Sequence, residues 1–157
     1  PAARGLVPGA EGRARAAAGA EGAVGTHGVW GVVPREDDGA GLPDGAPVGT
    51  ILLKSIPASG TGEPLQPSGD TEIGWHFHPA AWGRGYASEA ASAVLAHAFA
   101  RGLDRVVAVT HPDNAASQAV CRRIGMTPRG RTDAYYGVTC ELFDVTAAER
   151  ARAARPA

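Results

Sequence analysis

The chain has 157 residues, a formal net charge of -1 and 44% hydrophobic residues, which suits one domain and excludes a chain disordered or membrane-spanning by composition. So small a net charge gives no field to draw nucleic acid or an anionic membrane, and a small ligand is the default partner. Its 22 glycines and 12 prolines crowd residues 1–70, which predicts a loop-rich first half. Cys121 and Cys140 allow at most one disulfide, and with no signal-type opening the default setting is cytoplasmic. The chain starts at Pro1 without Met, which marks it as trimmed or as a piece of something longer. Lys54 is the single lysine, a bias that carries no mechanistic weight at this point.

Ala10 to Ala23, mostly Ala, Gly, Glu and Arg, fits a short helix that each glycine weakens by about 1 kcal/mol. Gly28 to Arg35 reads as a strand through Val29, Trp30, Val32 and Val33, and a turn-rich stretch follows to Gly45. Val48 to Ile56 is a second strand, and Pro57 to Gly69 a loop. Thr71 to His78 alternates, with Ile73, Trp75 and Phe77 on one face and Glu72, Gly74, His76 and His78 on the other, which predicts a half-buried strand. After Gly85 the apolar residues Tyr86, Ala90, Ala91, Val94, Leu95 and Ala98 recur at three and four, a helix stopped near Gly102. Arg105 to Thr110 is a continuous apolar run, typical of a strand covered on both faces. Asn114 caps a helix running to Ile124, with Gly125 as its stop. Thr127 to Thr132 and Tyr135 to Val145 form a closing antiparallel pair, and the Ala/Arg-rich tail from Thr146 is expected to fray. A meander, a strand-helix-strand-helix unit and two last strands make a mixed α+β sheet.

Of three Gly-x-Gly pairs, only Gly83/Gly85 lies between a strand and a strong amphipathic helix. Such a turn leaves the first N–H groups of the helix aimed outward, where the dipole favours an anion such as a pyrophosphate. Ser88 stands where a dinucleotide fingerprint has its third glycine, which speaks against that class. The other reading is a plain helix-entry turn without ligand.

From Glu72 through Val145 the sequence resembles the GNAT superfamily of acetyl-CoA-dependent N-acetyltransferases, in particular the branch with the ribosomal-protein N-terminal acetyltransferases. Two motifs carry the resemblance. Trp82, Gly83, Arg84, Gly85, Tyr86, Ala87 matches the family's turn except at its first position, where Trp82 stands for Gln or Arg. Asn114 through Met126 resembles its Asn-x-x-Ser helix ending in Gly and a bulky apolar residue. The resemblance implies a mostly antiparallel twisted sheet with a splayed parallel strand pair and helices on both faces. It implies residues 29–145 as the acetyltransferase domain, 1–28 as a Gly/Ala-rich remnant of a helical part, and 146–157 as a tail. It implies acetyl-CoA as co-substrate, the pyrophosphate on the main chain of Trp82, Gly83, Arg84, Gly85, Tyr86 and Ala87, the pantetheine and carbonyl at Phe77 and His78, and the distal arm and thiol at Asn114 and Ser117.

Acetyl transfer needs a neutral amine, a polarised carbonyl and a proton for the thiolate. The resemblance points to Asp133 as base, with Glu72 on the preceding strand as competitor, and the choice stays open. Ser117 matches the branch's acid. The commoner superfamily acid, a Tyr four positions later, is Cys121 here, and Tyr135 or Tyr136 could substitute. His76 and His78 on one strand face could hold zinc, yet no third ligand is fixed by spacing, so no metal is expected. The resemblance implies a small-molecule or protein N-terminal primary amine attacking in a ternary complex, and a homodimer through the sheet or the C-terminal strands is compatible with this fold. The alternative from another class is an acyl-CoA-binding module without catalysis.

Overall fold

The computed structural model describes residues 14–18, 25–34, 41, 43 and 45–154. Along the chain these form β1 (Ala14–Ala18), β2 (Gly28–Pro34), β3 (Gly49–Pro57), β4 (Pro67–Phe77), a 3-10 turn (Pro79–Ala81), α1 (Tyr86–Ala100), β5 (Arg105–Thr110), α2 (Ala115–Arg123), β6 (Thr127–Thr132), β7 (Cys140–Thr146) and α3 (Ala147–Ala153). The strands make one sheet in the order β1-β2-β3-β4-β5-β7-β6. The first four run antiparallel in sequence order, β4 and β5 are parallel, and β7 lies antiparallel between β5 and β6. This is the mixed α+β sheet with a parallel pair at its centre.

Alternation buries one face of each strand. Trp30 and Val32, Ile51 and Leu53, and Ile73 and Phe77 point to a shared core, on which α1 lays Ala90, Ala91, Val94, Leu95 and Ala98. α2 closes the same core with Val120 and Cys121, joined by Ile124 and Met126 beyond its end. On the opposite face Ile56 and Val107 pack with Tyr135. β5 is therefore covered on both sides, as its unbroken apolar run requires. Gly49 permits the closest approach in the meander, because a Cβ there would lie 2.6 Å from His76 O and inside the Phe77 ring.

Three expectations fail. Ala14–Ala18 is a strand paired antiparallel with β2 rather than part of a helix, and the rest of Ala10–Ala23 lies outside the described residues. The open edge of β2 offers backbone partners that a glycine-interrupted helix cannot match, so pairing overrides local preference. Instead of fraying, the tail from Thr146 turns into α3 over Ala147–Ala153, and residues 155–157 lie outside the described residues. Thr146 Oγ1 accepts from Glu149 N at 3.2 Å, and Glu149 Oε2 accepts from Thr146 N at 2.8 Å, a reciprocal cap at the start of an Ala/Arg-rich stretch. These bonds from Thr146, with Arg129 beside it, hold the Glu149 carboxyl below its ordinary range. The last strand is also shorter than predicted: it begins at Cys140, and Tyr135 and Tyr136 stand in the connection before it.

A chain of charges ties the far half of the sheet together. Buried Asp144 accepts from Arg105 Nε at 2.8 Å and Arg129 Nε at 2.6 Å, while Arg105 reaches Asp70 at 3.0 Å and Arg129 reaches Glu149 at 3.1 Å. Asp144→Asn removes the shared acceptor of two guanidiniums that can partly hydrate. The expected loss is about 2 kcal/mol, seen as a lower urea midpoint with an unchanged slope.

Candidate active site

β4 and β5 share one parallel pair, Glu72 with Val107, and then separate. Antiparallel amides alternate in direction, and the His78 N–H donates to Val48 O at 2.9 Å, so even-numbered residues of β4 face β3. The N–H and C=O groups of Trp75 and Phe77 consequently face the gap that β5 leaves. One of them is answered from within the chain: Trp82 Nε1 donates to Phe77 O at 3.0 Å. The expectation that His78 offers its amide is not met, since that N–H is spent on Val48 O and the ring Nδ1 accepts from Ala80 N at 3.1 Å.

The gap is a cleft of about 330 Å3. It is lined by Glu72, Gly74 and Trp75 of β4, Ala108 to Thr110 of β5, Asn114 and Ser117 at the start of α2, Leu52 and Lys54 of β3, and Tyr136. Both crossovers, β4 to α1 and β5 to α2, leave from the carboxyl ends of the parallel pair, which is where open α/β sheets gather their ligands. The structure thus brings together three of the sequence candidates, Glu72, Asn114 and Ser117.

Inside the cleft Glu72 is 6% exposed. Its Oε1 accepts from the Tyr136 hydroxyl and lies 3.4 Å from Lys54 Nζ, and that ammonium sits 5.7 Å from the centroid of the Tyr136 ring. Lys54 stands directly opposite Glu72 in the β3–β4 register, so the hairpin pairing, once known, would have singled it out. Tyr136 has φ 57 and Gly137 φ 68, a pair of left-handed residues that turns the tyrosine ring back over the strand. Burial, and then the Glu72 carboxylate, push the Tyr136 hydroxyl above its ordinary range.

Asp133 does not line the cleft. It is exposed, its Oδ1 accepts from Thr139 Oγ1 at 2.5 Å, and its carbonyl accepts from Ser59 Oγ at 2.5 Å, bonds that brace the connection carrying Tyr136. Cys121, standing where the superfamily has a tyrosine acid, is fully buried in the core, and burial pushes its thiol up to about 12. Both cysteines are free.

The glycine turn enters α1 as the sequence suggests. Gly83 has φ 72 and Gly85 φ 85, values that L side chains adopt only under strain. Gly85 is the cap residue of α1 and supplies no side-chain bond to its first turn. Arg84 Nε donates to Ala80 O at 3.2 Å, and the Trp82 ring stays 67% exposed. At α2, Asn114 Oδ1 accepts from Ser117 N at 3.0 Å and caps the helix. Among the described residues no three His, Cys, Asp or Glu side chains are grouped to hold a metal ion, and no helix is long and apolar enough to cross a membrane.

A parallel pair that parts beside two helix N-termini is the central feature of this mixed sheet. The acetyltransferase (GNAT) domain family matches residues 9–127, and the chain belongs to it. Over 60 residues the chain is 45% identical to YnaD, an uncharacterized N-acetyltransferase of Bacillus subtilis, covering 38% of this chain and 35% of that protein. Over 96 residues it is 33% identical to the FsC-acetyl coenzyme A-N(2)-transacetylase of Aspergillus fumigatus, covering 60% of this chain and 40% of that one. The chain thus spans 35% to 40% of the length of these curated relatives. The structure of AAC(6')-Ib in complex with ribostamycin and coenzyme A superposes with a TM-score of 0.64 at 15% identity, over 84% of this chain and 70% of that one, a likeness of fold.

Tyr135 holds the connection from beneath, its hydroxyl donating to Asp70 Oδ2 at 2.6 Å. Burial, and then Asp70, push this hydroxyl from 10.0 up to about 12. A raised folded value means stability that is full below the unfolded value and lost as pH climbs through the folded one. Urea melts across pH 10 to 12 should therefore show wild type losing stability more steeply than Tyr135→Phe.

Proposed function

We propose that this chain transfers acetyl from acetyl-CoA to a primary amine by direct attack in a ternary complex. The observation that carries the proposal is the buried Glu72 carboxylate inside the cleft that opens where β4 and β5 part. The acceptor nitrogen arrives as an ammonium at neutral pH and must lose a proton before it can attack. Glu72 is the proposed proton acceptor, with the Tyr136 hydroxyl bonded to it as the path from the cleft mouth. Asp133, tied to Thr139 outside the cleft lining, is instead assigned to bracing the Tyr136 connection.

The acyl donor enters from the side of the two helix N-termini. Its diphosphate would lie on the amides of Gly83, Arg84, Gly85, Tyr86 and Ala87 beyond exposed Trp82, where the α1 dipole favours negative charge. The distal arm would pass Asn114 and Ser117, which line the cleft. As the nitrogen bonds the carbonyl carbon, charge gathers on its oxygen, and the Phe77 and Trp75 amides facing the gap are the donors available. Such a donor is commonly worth about 3 kcal/mol of barrier. The C–S bond then breaks, and the Ser117 hydroxyl is the proposed source of a proton for the thiolate. Ser117 coincides with a position singled out in the ribosomal-protein branch, and the proposed acceptor is a small-molecule or protein N-terminal amine.

The test is acetyl-CoA turnover over a panel of amines, followed by thiol release, with calorimetry for acetyl-CoA binding. Glu72→Gln should lose about a hundredfold or more in kcat while still binding acetyl-CoA, and Asp133→Asn should stay within a few-fold of wild type. Binding without turnover on every amine would instead make the chain an acyl-CoA-binding module, and loss in Asp133→Asn alone would move the base to that residue.

A further inference from the structure

We infer that the Thr110 hydroxyl binds an amide of the acyl donor's pantetheine arm, a contact that rests on the acetyl-CoA reading above. Thr110 ends β5 at the point where the strand has left β4, and it lines the cleft. The residue is 7% exposed, and its Oγ1 is shut off from water without a hydrogen-bond partner among the described residues. A buried hydroxyl normally finds a partner, so one left empty beside a cleft marks a bond that an occupant can complete.

The face on which Thr110 sits selects the occupant. Val107 and Val109 pack with Ile56 and Tyr135 on the side of Glu72, whereas Val106 and Ala108 belong to the core that α1 and α2 close. Alternation puts Thr110 with the second set, on the side of Asn114 and Ser117 and across the sheet from Glu72 and Lys54. The incoming amine belongs to the Glu72 side, and the acyl donor to the helix side. The pantetheine arm carries secondary amides, which can both give a hydrogen bond to a hydroxyl and take one from it. The oxygen is enclosed in the free chain, so the contact requires a rotation about χ1, a change between staggered positions that leaves the backbone in place.

The test compares full-length wild type with Thr110→Val, which keeps the shape and deletes the hydroxyl, and with Thr110→Ser, which keeps it. Calorimetry is run with acetyl-CoA and with the 3′-phosphoadenosine diphosphate half of coenzyme A, which retains the diphosphate and lacks the arm. Thr110→Val should bind acetyl-CoA about tenfold more weakly, equivalent to about 1.4 kcal/mol, with the phosphoadenosine half unaffected and Thr110→Ser within about twofold of wild type. Free Thr110→Val should melt no lower than wild type, because it loses a hydroxyl that had no partner. Equal acetyl-CoA affinity in wild type and Thr110→Val, or an equal loss for both ligands, overturns the contact while leaving the acetyl-CoA reading intact. Absence of acetyl-CoA binding by folded wild type overturns both.

Discussion

The rest of the molecule follows from the early parting of β4 and β5. A parallel pair normally continues its ladder, because a strand edge turned toward an empty gap leaves amides and carbonyls without partners. Here the ladder stops at Glu72 and Val107, and the neighbours keep β5 straight: β7 pairs with it along its whole length from Arg105 to Thr110. On the other side β3 holds β4 in register from Gly49/Phe77 to Ser55/Thr71. Each strand is fixed by its outer partner, so the gap between them is a stable feature and not a frayed edge. The Asp144 network adds to this, since it spans β5, β6 and β7 while Arg105 reaches back to Asp70 at the near end of β4.

Because the sheet alternates, the gap has two chemically different sides. The helix side offers the amides before α1, the start of α2 and the enclosed Thr110 hydroxyl, all suited to a neutral amide arm and an anionic diphosphate. The other side offers a carboxylate already opposed by an ammonium and covered by a phenol. A buried carboxylate without a partner would be costly. Lys54 offsets that cost while remaining half exposed, so an ammonium arriving from solvent can compete with it for Glu72. On the proposed reading, strand parity would keep donor and acceptor apart and let two ligands meet at the gap without sharing a binding surface.

Much of this was legible in the sequence, and what was not has a common cause. The clean alternation of Thr71 to His78, the helix after Gly85 and the capped Asn114 segment gave the central unit and both helix N-termini, because each signal is local. Glu72, Asn114 and Ser117 lie on those elements and meet in one cleft. The misses depend on pairing. Lys54 becomes important only through its register with Glu72, and the strand at Ala14–Ala18 exists only because β2 has a free edge. Tyr and Val favour a strand at Tyr136, yet it occupies a left-handed turn sustained by long-range contacts, among them the packing of Tyr135 on Val107 and its bond to Asp70. The capping box at Thr146 was local and readable, and the Ala/Arg composition after it concealed it.

Trp82 is where sequence and family part company, and geometry supplies a reason. A Gln or Arg at the head of the turn would offer a long polar side chain, whereas the indole has one donor, and it is spent on Phe77 O. That carbonyl is among the groups orphaned by the departure of β5, so Trp82 closes from the turn what the sheet leaves open. The Phe77 amide on the same edge stays directed at the gap, with its own carbonyl held in place. A side chain that locks the backbone around the gap gives rigidity there in exchange for a long polar group at the turn, and on the proposed reading the diphosphate would be left to main-chain amides that Gly83 and Gly85 orient.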